Sequence, residues 1–318
     1  MTTIINKAEI QAIVNNLDVL AAMEKGFIDY SNGKTVVPPV GELLFEEAKG
    51  DAHIKYGYIK DDAFFVIKIA TGFYNNSALG LPSSQGLMLV FSQKTGQPIA
   101  ILLDEGMLTD IRTAAAGALA AQYFAPKTVK AIGIIGTGIQ ARLQLEYLWS
   151  VVDCDSVWVW GRNRAKAEQF KADMGSNFTI NVAETAAEVA QHCNLIVTTT
   201  PAEVPLLWAK DIQSGTHITA VGSDTHKKQE LDSALLQRAD LVIADSLPQS
   251  QSRGEIFRAT QAGAITAAKV VELGTAIQNP QLQRRNNDQI SIVDLTGVAV
   301  QDIMIATAVY LKWRSQKS

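Results

Sequence analysis

The chain has 318 residues, which is above the usual ~100–200 residues of one domain, so two domains are expected. Hydrophobic residues make up 47% and charged residues 19%, a balance that is typical of globular proteins and argues against a disordered chain. The net charge is 28 − 32 = −4 and like charges form no blocks, so neither a nucleic acid nor an anionic membrane is indicated as a partner.

The cysteine count favours a reducing environment. Cysteines and histidines together predict no metal site. The two cysteines, Cys154 and Cys193, are too few for a disulfide framework, and with four scattered histidines they offer no metal-ligand spacing. The N-terminal segment lacks the charged and apolar regions of a signal peptide. The apolar run at 114–121 is far shorter than the ~20 residues that cross a bilayer. We therefore expect a cytoplasmic protein without a membrane partner.

The first third of the chain predicts helical structure followed by a mixed sheet. Apolar residues recur at helical spacing between Ile10 and Tyr30. Short β-rich runs follow, and a turn of hairpin length, QKTG at 93–96, separates the last two. These runs are His53 to Ile59, Phe64 to Ile69, Gly86 to Ser92 and Pro98 to Leu103. Antiparallel pairing is expected among them.

Helices and strands alternate through the rest of the chain. A small-residue helix is predicted from Thr109 through Gln122, before Pro126. Continuous apolar strands then alternate with helices, which predicts an α/β fold with a Rossmann-type, doubly wound parallel sheet. The predicted strands are 129–135, 157–160, 195–199, 218–221, 241–244 and 290–293; the predicted helices are 140–150, 164–174, 183–191, 233–239 and 297–313.

The sharpest local motif is GTGIQA at 136–141, a G-x-G-x-x-A pattern between a predicted strand and a predicted helix. Its glycines allow a tight turn and a close approach of backbone N–H groups to a pyrophosphate, which the helix N-terminus also favours. An ordinary glycine turn is the alternative. The motif predicts a dinucleotide site at Gly136, Thr137, Gly138, Ile139 and Gln140.

The end of the next strand indicates which dinucleotide would bind. NAD sites place an acid there for the ribose 2′-OH, whereas this strand ends in Gly161, Arg162, Asn163 and Arg164. Guanidinium groups suit a 2′-phosphate, so we predict NADPH, with NADH possible. The alternative is that both arginines are solvated residues at a helix start. Thr199, at the end of a later strand, borders the same crevice or belongs to a plain polar turn.

Three charged residues are candidates for substrate chemistry. Lys68 stands among apolar strand residues, where an unpaired ammonium is costly. Arg112 lies in the small-residue helix, and Asp224 follows the strand at 218–221. Each has a structural alternative: the cations as surface residues with buried stems, and Asp224 as the cap of a helix ahead of Lys228 to Leu236.

Five segments together resemble the ornithine cyclodeaminase/μ-crystallin family over nearly the full length. They are VIKIATGFYNN at 66–76, LTDIRTAAAGALAA at 108–121, IGIIGTGIQAR at 132–142, VGSDTHKKQELD at 221–232 and DLTGVAVQD at 294–302. The resemblance implies a homodimer with a discontinuous α+β domain for substrate binding and dimerisation. This domain would comprise residues 1–118 and the C-terminal helix in 295–318, with the Rossmann domain over 119–294.

The resemblance also implies roles for single residues. Lys68 and Arg112 would face the substrate, with Arg112 on its carboxylate, and Asp224 matches the catalytic aspartate of the family. Further residues near the cofactor would be Ser83, Thr113 and Val298, the last where the family closes over the nicotinamide.

Three departures from the cyclodeaminases point away from ornithine. No arginine precedes Arg112, whereas cyclodeaminases use an N-terminal arginine for the ornithine carboxylate. Lys55 stands where they place a glutamate for the distal amine, and a lysine there would attract a carboxylate. The NAD-type acid is also absent. The sequence therefore resembles the ketimine-reductase branch, whose members reduce cyclic imines such as Δ1-pyrroline-2-carboxylate and Δ1-piperideine-2-carboxylate.

The expected activity is NADPH-dependent reduction of a small cyclic imino acid, with L-proline as the leading product and L-pipecolate as a second. Asp224 would hold or deliver the proton of the imine nitrogen, and Lys68 is the second candidate donor. Three alternatives remain: ornithine cyclodeaminase, an amino-acid dehydrogenase of the alanine type, and a non-catalytic, crystallin-like NADPH-binding protein.

Overall fold

A computed structural model describes residues 2–73 and 75–317, so Tyr74, in the family-like segment at 66–76, lies outside the described residues. The chain divides into two compact units. The first runs to Arg112 and resumes at Val298, and the second is Thr113–Gly297. The sequence placed these divisions at 118/119 and 294/295. The first division falls within a continuous helix, Met107–Phe124, where no turn or linker composition marks it.

Strands and helices alternate along most of the described chain. The strands are β1 (Thr3–Asn6), β2 (Thr35–Val36), β3 (Gly41–Phe45), β4 (Gly50–Ile59), β5 (Phe64–Phe73), β6 (Ser84–Ser92), β7 (Pro98–Leu103), β8 (Ile132–Ile135), β9 (Ser156–Trp160), β10 (Thr179–Val182), β11 (Leu195–Thr198), β12 (His217–Ala220), β13 (Leu241–Ala244), β14 (Val270–Glu272) and β15 (Ser291–Asp294). The helices are α1 (Lys7–Val14), α2 (Val19–Ser31), α3 (Met107–Phe124), α4 (Ile139–Leu148), α5 (Arg164–Met174), α6 (Ala186–His192), α7 (Ser233–Arg238), α8 (Gly254–Gln261), α9 (Leu273–Gln278) and α10 (Ala299–Lys317).

The helical segment predicted between Ile10 and Tyr30 consists of two helices. Asn6 and Glu9 form a reciprocal capping box at the start of α1. The Asp18 side chain accepts a hydrogen bond from the backbone N–H of Ala21 and begins α2. Because each cap satisfies N–H groups that a helix start leaves without partners, the chain restarts its helix at Asp18 instead of continuing one long helix.

The sheet of the first unit has the order β1-β7-β6-β5-β4-β2, with β3 also paired to β4. β1 runs parallel to β7, and the other neighbours are antiparallel, as the mixed-sheet prediction required. α10 packs against α2, β4 and β5. The approach to α2 is close, because a Cβ added at Gly26 would lie 2.7 Å from Met304 Cγ.

The two faces of this sheet differ in burial. One cross-strand row is no more than 9% exposed and places two lysines among apolar residues: Ile5, Leu102, Met88, Lys68 and Lys55. The neighbouring row on the opposite face is apolar yet exposed or half-buried: Ile4, Ile101, Leu89, Ile67 and Tyr56. Strand alternation therefore sends the two lysines inward and leaves an apolar outer face.

The second unit contains an eight-stranded, entirely parallel sheet with the order β10-β9-β8-β11-β12-β15-β13-β14. The central strands β8, β11, β12 and β15 are fully buried, which confirms the predicted Rossmann-type α/β fold. The strand order reverses at β8, between β9 and β11. In such sheets the carboxyl ends of the strands at the reversal border the ligand crevice.

Candidate functional site

A buried charge cluster in the first unit is formed by Lys68 on β5, Arg112 on α3 and Asp302 on α10. Arg112 Nε donates a 3.0 Å hydrogen bond to Asp302 Oδ1, and Lys68 Nζ lies 3.3 Å from Asp302 Oδ2. All three side chains are at most 5% exposed. Asp302 therefore supplies the negative charge that buried cations need. Sequence reasoning did not single out this residue.

Gln301, the neighbour of Asp302, fixes the position of Arg112. Its Oε1 accepts hydrogen bonds from Arg112 Nη1 at 3.2 Å and from the backbone N–H of Val298 at 2.9 Å. Its Nε2 donates to the Arg112 carbonyl at 3.2 Å. Both the guanidinium and the backbone of Arg112 are thus held by the first turn of α10. Val298, a predicted cofactor residue, is fully buried at this turn.

Lys55 on β4 pairs directly with Lys68 across the two strands and is only 9% exposed. Burial lowers the pKa of Lys68 to about 8, with the Asp302 charge opposing this shift and the Arg112 charge adding to it. Burial alone would raise the pKa of Asp302, but Lys68 and Arg112 outweigh it and hold that pKa below its ordinary value. The structure thus brings together the three residues predicted to bind substrate.

Asp104, between β7 and α3, is a second carboxyl group near Lys68. Its Oδ2 accepts a 2.8 Å hydrogen bond from the Leu108 backbone, at the start of α3, while no hydrogen bond reaches Oδ1 from the described residues. Burial raises its pKa. The two carboxyl groups thus differ, since burial dominates the pKa of Asp104, whereas the nearby cations together outweigh burial at Asp302.

The turn between β8 and α4 in the second unit has the shape of an anion-binding turn. Gly136 adopts a φ of 127°, and a Cβ there would collide with the Thr199 hydroxyl. Gly138 caps α4 without a side-chain hydrogen bond, and no atom lies within 4 Å of where its Cβ would be. The N–H groups at a helix start, with open space beside the glycine, suit a pyrophosphate. Thr137, Ile139 and Gln140 complete this turn, where the sequence predicted them.

The three polar side chains of the GRNR segment after β9 differ in their contacts. Arg164 pairs with Glu184 and lies 3.5 Å from Glu168. The Asn163 side chain accepts a hydrogen bond from the backbone of α5 and caps that helix. Arg162 is exposed and shows no hydrogen bond or ion pair within residues 2–73 and 75–317. Of the three predicted ligands for a 2′-phosphate, Arg162 is therefore the one whose charge has no internal partner.

Asp224 lies in the loop after β12, and its side chain is 48% exposed. Its Oδ1 is 2.6 Å from Lys228 Nζ. The helix that follows begins only at Ser233, and its cap is Asp232. The alternative interpretation of Asp224 as a helix cap is therefore wrong, because the helix predicted from 228 does not form there.

The remaining predicted cofactor residues lie apart from the glycine turn in the chain. Ser83 is exposed just before β6 in the first unit. Thr113 lies within α3, and its carbonyl accepts a 3.1 Å hydrogen bond from Gln144 Nε2. Their assignment stays a prediction. Across the described chain no three His, Cys, Asp or Glu side chains are arranged to hold a metal ion, and no helix there is long and apolar enough to span a bilayer.

Comparison with known proteins places the whole chain in one family. The family model described as "Ornithine cyclodeaminase/mu-crystallin family" matches residues 1–317. The chain belongs to this family. Among curated members, it is 38% identical to an uncharacterized cyclodeaminase of Sinorhizobium fredii over 96% of this chain and 94% of that protein. It is 35% identical to an alanine dehydrogenase of Archaeoglobus fulgidus over 97% and 94%, and 30% identical to a Δ1-pyrroline-2-carboxylate reductase of Bacillus thuringiensis over 97% and 96%.

Solved structures of ornithine cyclodeaminase/μ-crystallin proteins show the same fold. The Δ1-pyrroline-2-carboxylate reductase of Thermococcus litoralis, in complex with NADH and L-proline, superposes with a TM-score of 0.93 at 27% identity over 99% of this chain and 98% of that one. An archaeal alanine dehydrogenase dimer with bound NAD superposes with a TM-score of 0.91 at 32% identity, over 100% and 97%.

Proposed function

We propose that this protein reduces a small cyclic imino acid with a nicotinamide dinucleotide, with Δ1-pyrroline-2-carboxylate to L-proline as the leading reaction. The observation that carries the proposal is the buried charge cluster of the first unit. Lys68 and Arg112 flank one carboxylate, that of Asp302, and Lys55 pairs with Lys68 across the two strands. A small anionic substrate suits a site to which three basic side chains contribute. Δ1-Piperideine-2-carboxylate, which carries the same carboxylate on a larger ring, is the second substrate of this class.

Arg112 is the residue proposed to bind the substrate carboxylate. Asp302 and Gln301 already hold its Nε and Nη1, which fixes the plane of the guanidinium. A planar group held in this way can donate further hydrogen bonds to a carboxylate with little loss of side-chain entropy. Lys55 and Lys68 add positive charge next to it. This arrangement also opposes a second ammonium group, as ornithine would bring.

Two residues are proposed for moving the proton of the imine nitrogen. Asp224 is the first, because its half-exposed carboxylate follows a strand at the carboxyl edge of the parallel sheet. Lys68 is the second, because a pKa of about 8 leaves it able to give up a proton near neutral pH. Protonation of the nitrogen makes the C=N carbon a better hydride acceptor.

The second unit is proposed to hold the dinucleotide. The Gly136–Gln140 turn would bind the pyrophosphate, and its fit rests on the open, uncapped start of α4. The cofactor, when bound, supplies the hydride. Arg162 would recognise a 2′-phosphate, which is the basis for proposing that NADPH is preferred to NADH. The related structures named above hold NADH or NAD, so NADH use is the alternative.

An amino-acid dehydrogenase of the alanine type is the second candidate function. It is favoured by the 35% identity to the Archaeoglobus fulgidus enzyme. The chemistry is close, since an open-chain imine formed from a keto acid and ammonia would need the same carboxylate binding and protonation. The two candidates differ in whether the imine is cyclic.

A panel of substrates tests the proposal. Turnover would be measured with Δ1-pyrroline-2-carboxylate, with pyruvate plus ammonia, and with ornithine, each with NADPH, NADH or NAD as the reaction requires. The proposal expects the highest kcat/KM with the cyclic imine. Faster turnover of pyruvate plus ammonia would instead establish the alanine-type activity. Release of ammonia from ornithine would establish a cyclodeaminase. Tight cofactor binding without any turnover would indicate a non-catalytic binding protein.

A homodimer is proposed as the active assembly. The row of Ile4, Ile101, Leu89, Ile67 and Tyr56 leaves apolar side chains on the outer sheet face, and patches of this kind mark protein interfaces. Light scattering on Leu89→Glu tests it, with Val204→Glu as a control at an exposed apolar position elsewhere. Leu89→Glu is expected to be monomeric, and Val204→Glu is expected to stay dimeric. The proposal would be contradicted if both variants were dimers or if the native protein were a monomer.

A further inference from the structure

The buried carboxylate of Glu230 lies between two loops of the second unit. One is the threonine turn, residues 199–202, which follows β11. The other is the Asp224 loop, residues 221–228, which follows β12. β11 and β12 are hydrogen-bonded neighbours up to Thr198 and Ala220, the last pair of their ladder. Glu230 is fully buried, and no Lys or Arg in the described part of the chain pairs with it.

Four hydrogen bonds reach this carboxylate. Oε1 accepts from the backbone N–H of Thr200 at 2.6 Å and from its hydroxyl at 2.7 Å. Oε2 accepts from the Thr198 hydroxyl at 2.7 Å and from the backbone N–H of Gly222 at 2.9 Å. Each oxygen therefore takes one backbone N–H, and the two N–H groups come from different loops. Burial raises the pKa of Glu230 to about 7 against these hydrogen bonds, so the donors offset a substantial cost of holding the ionised form.

The two loops also approach each other closely. A Cβ at Gly222 would lie 2.5 Å from the Thr200 nitrogen and would collide with the Thr200 carbonyl oxygen. On its other side, the threonine turn borders the glycine turn. Thr199 donates from its backbone to the carbonyl of Ile135, the last residue before that turn, at 2.8 Å, and its hydroxyl lies where a Cβ at Gly136 would be. A displacement at Glu230 would thus reach both the proposed dinucleotide turn and the loop that carries Asp224.

We infer that Glu230 is a positioning residue that fixes the spacing between the threonine turn and the Asp224 loop, and through it the place of Asp224 relative to the glycine turn. The expected effect of Glu230 on the reaction rate rests on the proposed function. The expected effect of Glu230 on the two loops rests only on the hydrogen bonds described above. Glu230 is not proposed to contact a reacting group. It acts through the backbone N–H groups of Thr200 and Gly222.

Glu230→Gln tests the inference, because an amide cannot replace this carboxylate. Whichever way the amide is turned, its NH2 group faces a backbone N–H, of Thr200 or of Gly222, and one loop loses its acceptor. Asp245→Asn is the matched control. Asp245 is also buried and accepts a backbone N–H, from Gly297 at 2.6 Å, and a hydroxyl, from Thr296 at 2.9 Å, but neither donor belongs to the two loops.

Two measurements are made on the full chain. Hydrogen exchange followed by mass spectrometry should show faster exchange, by about tenfold or more, in the threonine turn or the Asp224 loop of Glu230→Gln and in neither loop of Asp245→Asn. Steady-state kinetics should show a kcat for Glu230→Gln lowered by about tenfold or more, with a smaller change in the substrate KM. Thr198→Val removes one hydroxyl donor to Glu230 and keeps the side-chain shape, so it should give the same changes to a lesser degree. It replaces Glu230→Gln as the test if that variant does not fold.

The outcomes separate the inference from the function. Unchanged exchange in both loops of Glu230→Gln, or of Thr198→Val where the first variant does not fold, would overturn the inference. A native protein that turns over no substrate of the panel would refute the proposed function, while the exchange result would still decide whether Glu230 holds the two loops.

Discussion

Asp302 Oδ1 accepts a 3.0 Å hydrogen bond from Arg112 Nε although 190 positions separate the two residues in the chain. The second oxygen of the same carboxylate faces Lys68 at 3.3 Å. One buried anion thus holds two buried cations. Its removal would take from both cations the carboxylate that faces them, and neither cation is more than 5% exposed.

Asp302→Asn should therefore lower the stability of the protein by about 3–5 kcal/mol, the range for breaking a buried ion pair from one side. Urea denaturation would measure the loss. Asp173→Asn is the control, because Asp173 pairs with Arg142 at 2.6 Å but is 40% exposed, and exposed pairs contribute little to stability. Equal urea midpoints for the two variants would show that the Asp302 charge does not stabilise the cluster.

Arg112→Ala should lower kcat/KM for the imino acid by about 10²–10³-fold, mainly through KM, because a charge-assisted contact to the substrate carboxylate is lost. The dissociation constant of the dinucleotide should change little. Arg112→Lys should recover only part of the loss, since an ammonium keeps the charge but not the planar fork. Normal turnover by Arg112→Ala would remove this residue from the substrate site.

Lys68 should impose an alkaline limit on the reaction. Its pKa of about 8 means that kcat/KM should fall as pH rises through this value, because the cation and its proton are lost. Lys68→Arg should lack this fall, since a guanidinium stays protonated. A pH profile of the native enzyme that is flat from pH 7 to 9.5 would contradict the assignment.

The lowered pKa of Lys68 should also make the stability of the protein depend on pH. The pKa of Lys68 in the folded protein is lower than the ordinary 10.5, so the unfolded chain binds more protons between about 8 and 10.5. The Lys68 contribution to stability should therefore become more favourable as pH rises through this window. Lys68→Met removes the titrating group, and the difference in unfolding free energy between it and the native protein, followed from pH 7 to 10, measures the contribution. A pH-independent difference would argue against a lowered pKa.

Arg162→Ala should raise the KM for NADPH by about tenfold or more, the effect of losing a hydrogen bond to a charged group, and leave the KM for NADH unchanged. Arg164→Ala is the matched control, because its guanidinium is engaged by Glu184 and Glu168, and it should change neither value much. Equal effects of the two substitutions would show that the 2′-phosphate is not recognised by Arg162. An acid at Gly161 is a poor alternative test, since a Cβ there would lie 2.6 Å from Thr137 Cγ2 and disturb the glycine turn.

Asp224→Asn should lower kcat by about 10²–10⁴-fold, the range for a positioned acid–base group. The melting temperature should hold, because the residue is half-exposed in a loop and caps no helix. Lys228→Met separates the carboxylate from its ion pair, and a much smaller loss of kcat is expected there. An active Asp224→Asn enzyme would leave Lys68 as the proton donor.

The parallel sheet of the second unit could be predicted because its central strands are buried on both faces and read as continuous apolar runs. The short edge strands β10 and β14 were missed, since three or four residues carry too little pattern. The turn at Gly136 was visible as a local motif. The partnership of Arg112 with Asp302 was not, because it depends on α10 returning to the first unit. The signal available in the sequence was an acid, Asp302, in the largely apolar first half of α10.

The return of α10 to the first unit has a consequence for synthesis on the ribosome. The second unit is one continuous stretch, Thr113–Gly297, and can fold as soon as it has emerged, since domains generally fold as units during translation. Lys68 and Arg112 are made much earlier but must wait for Asp302, near the end of the chain. The first unit therefore cannot complete its buried charge cluster until the whole second unit has been synthesised.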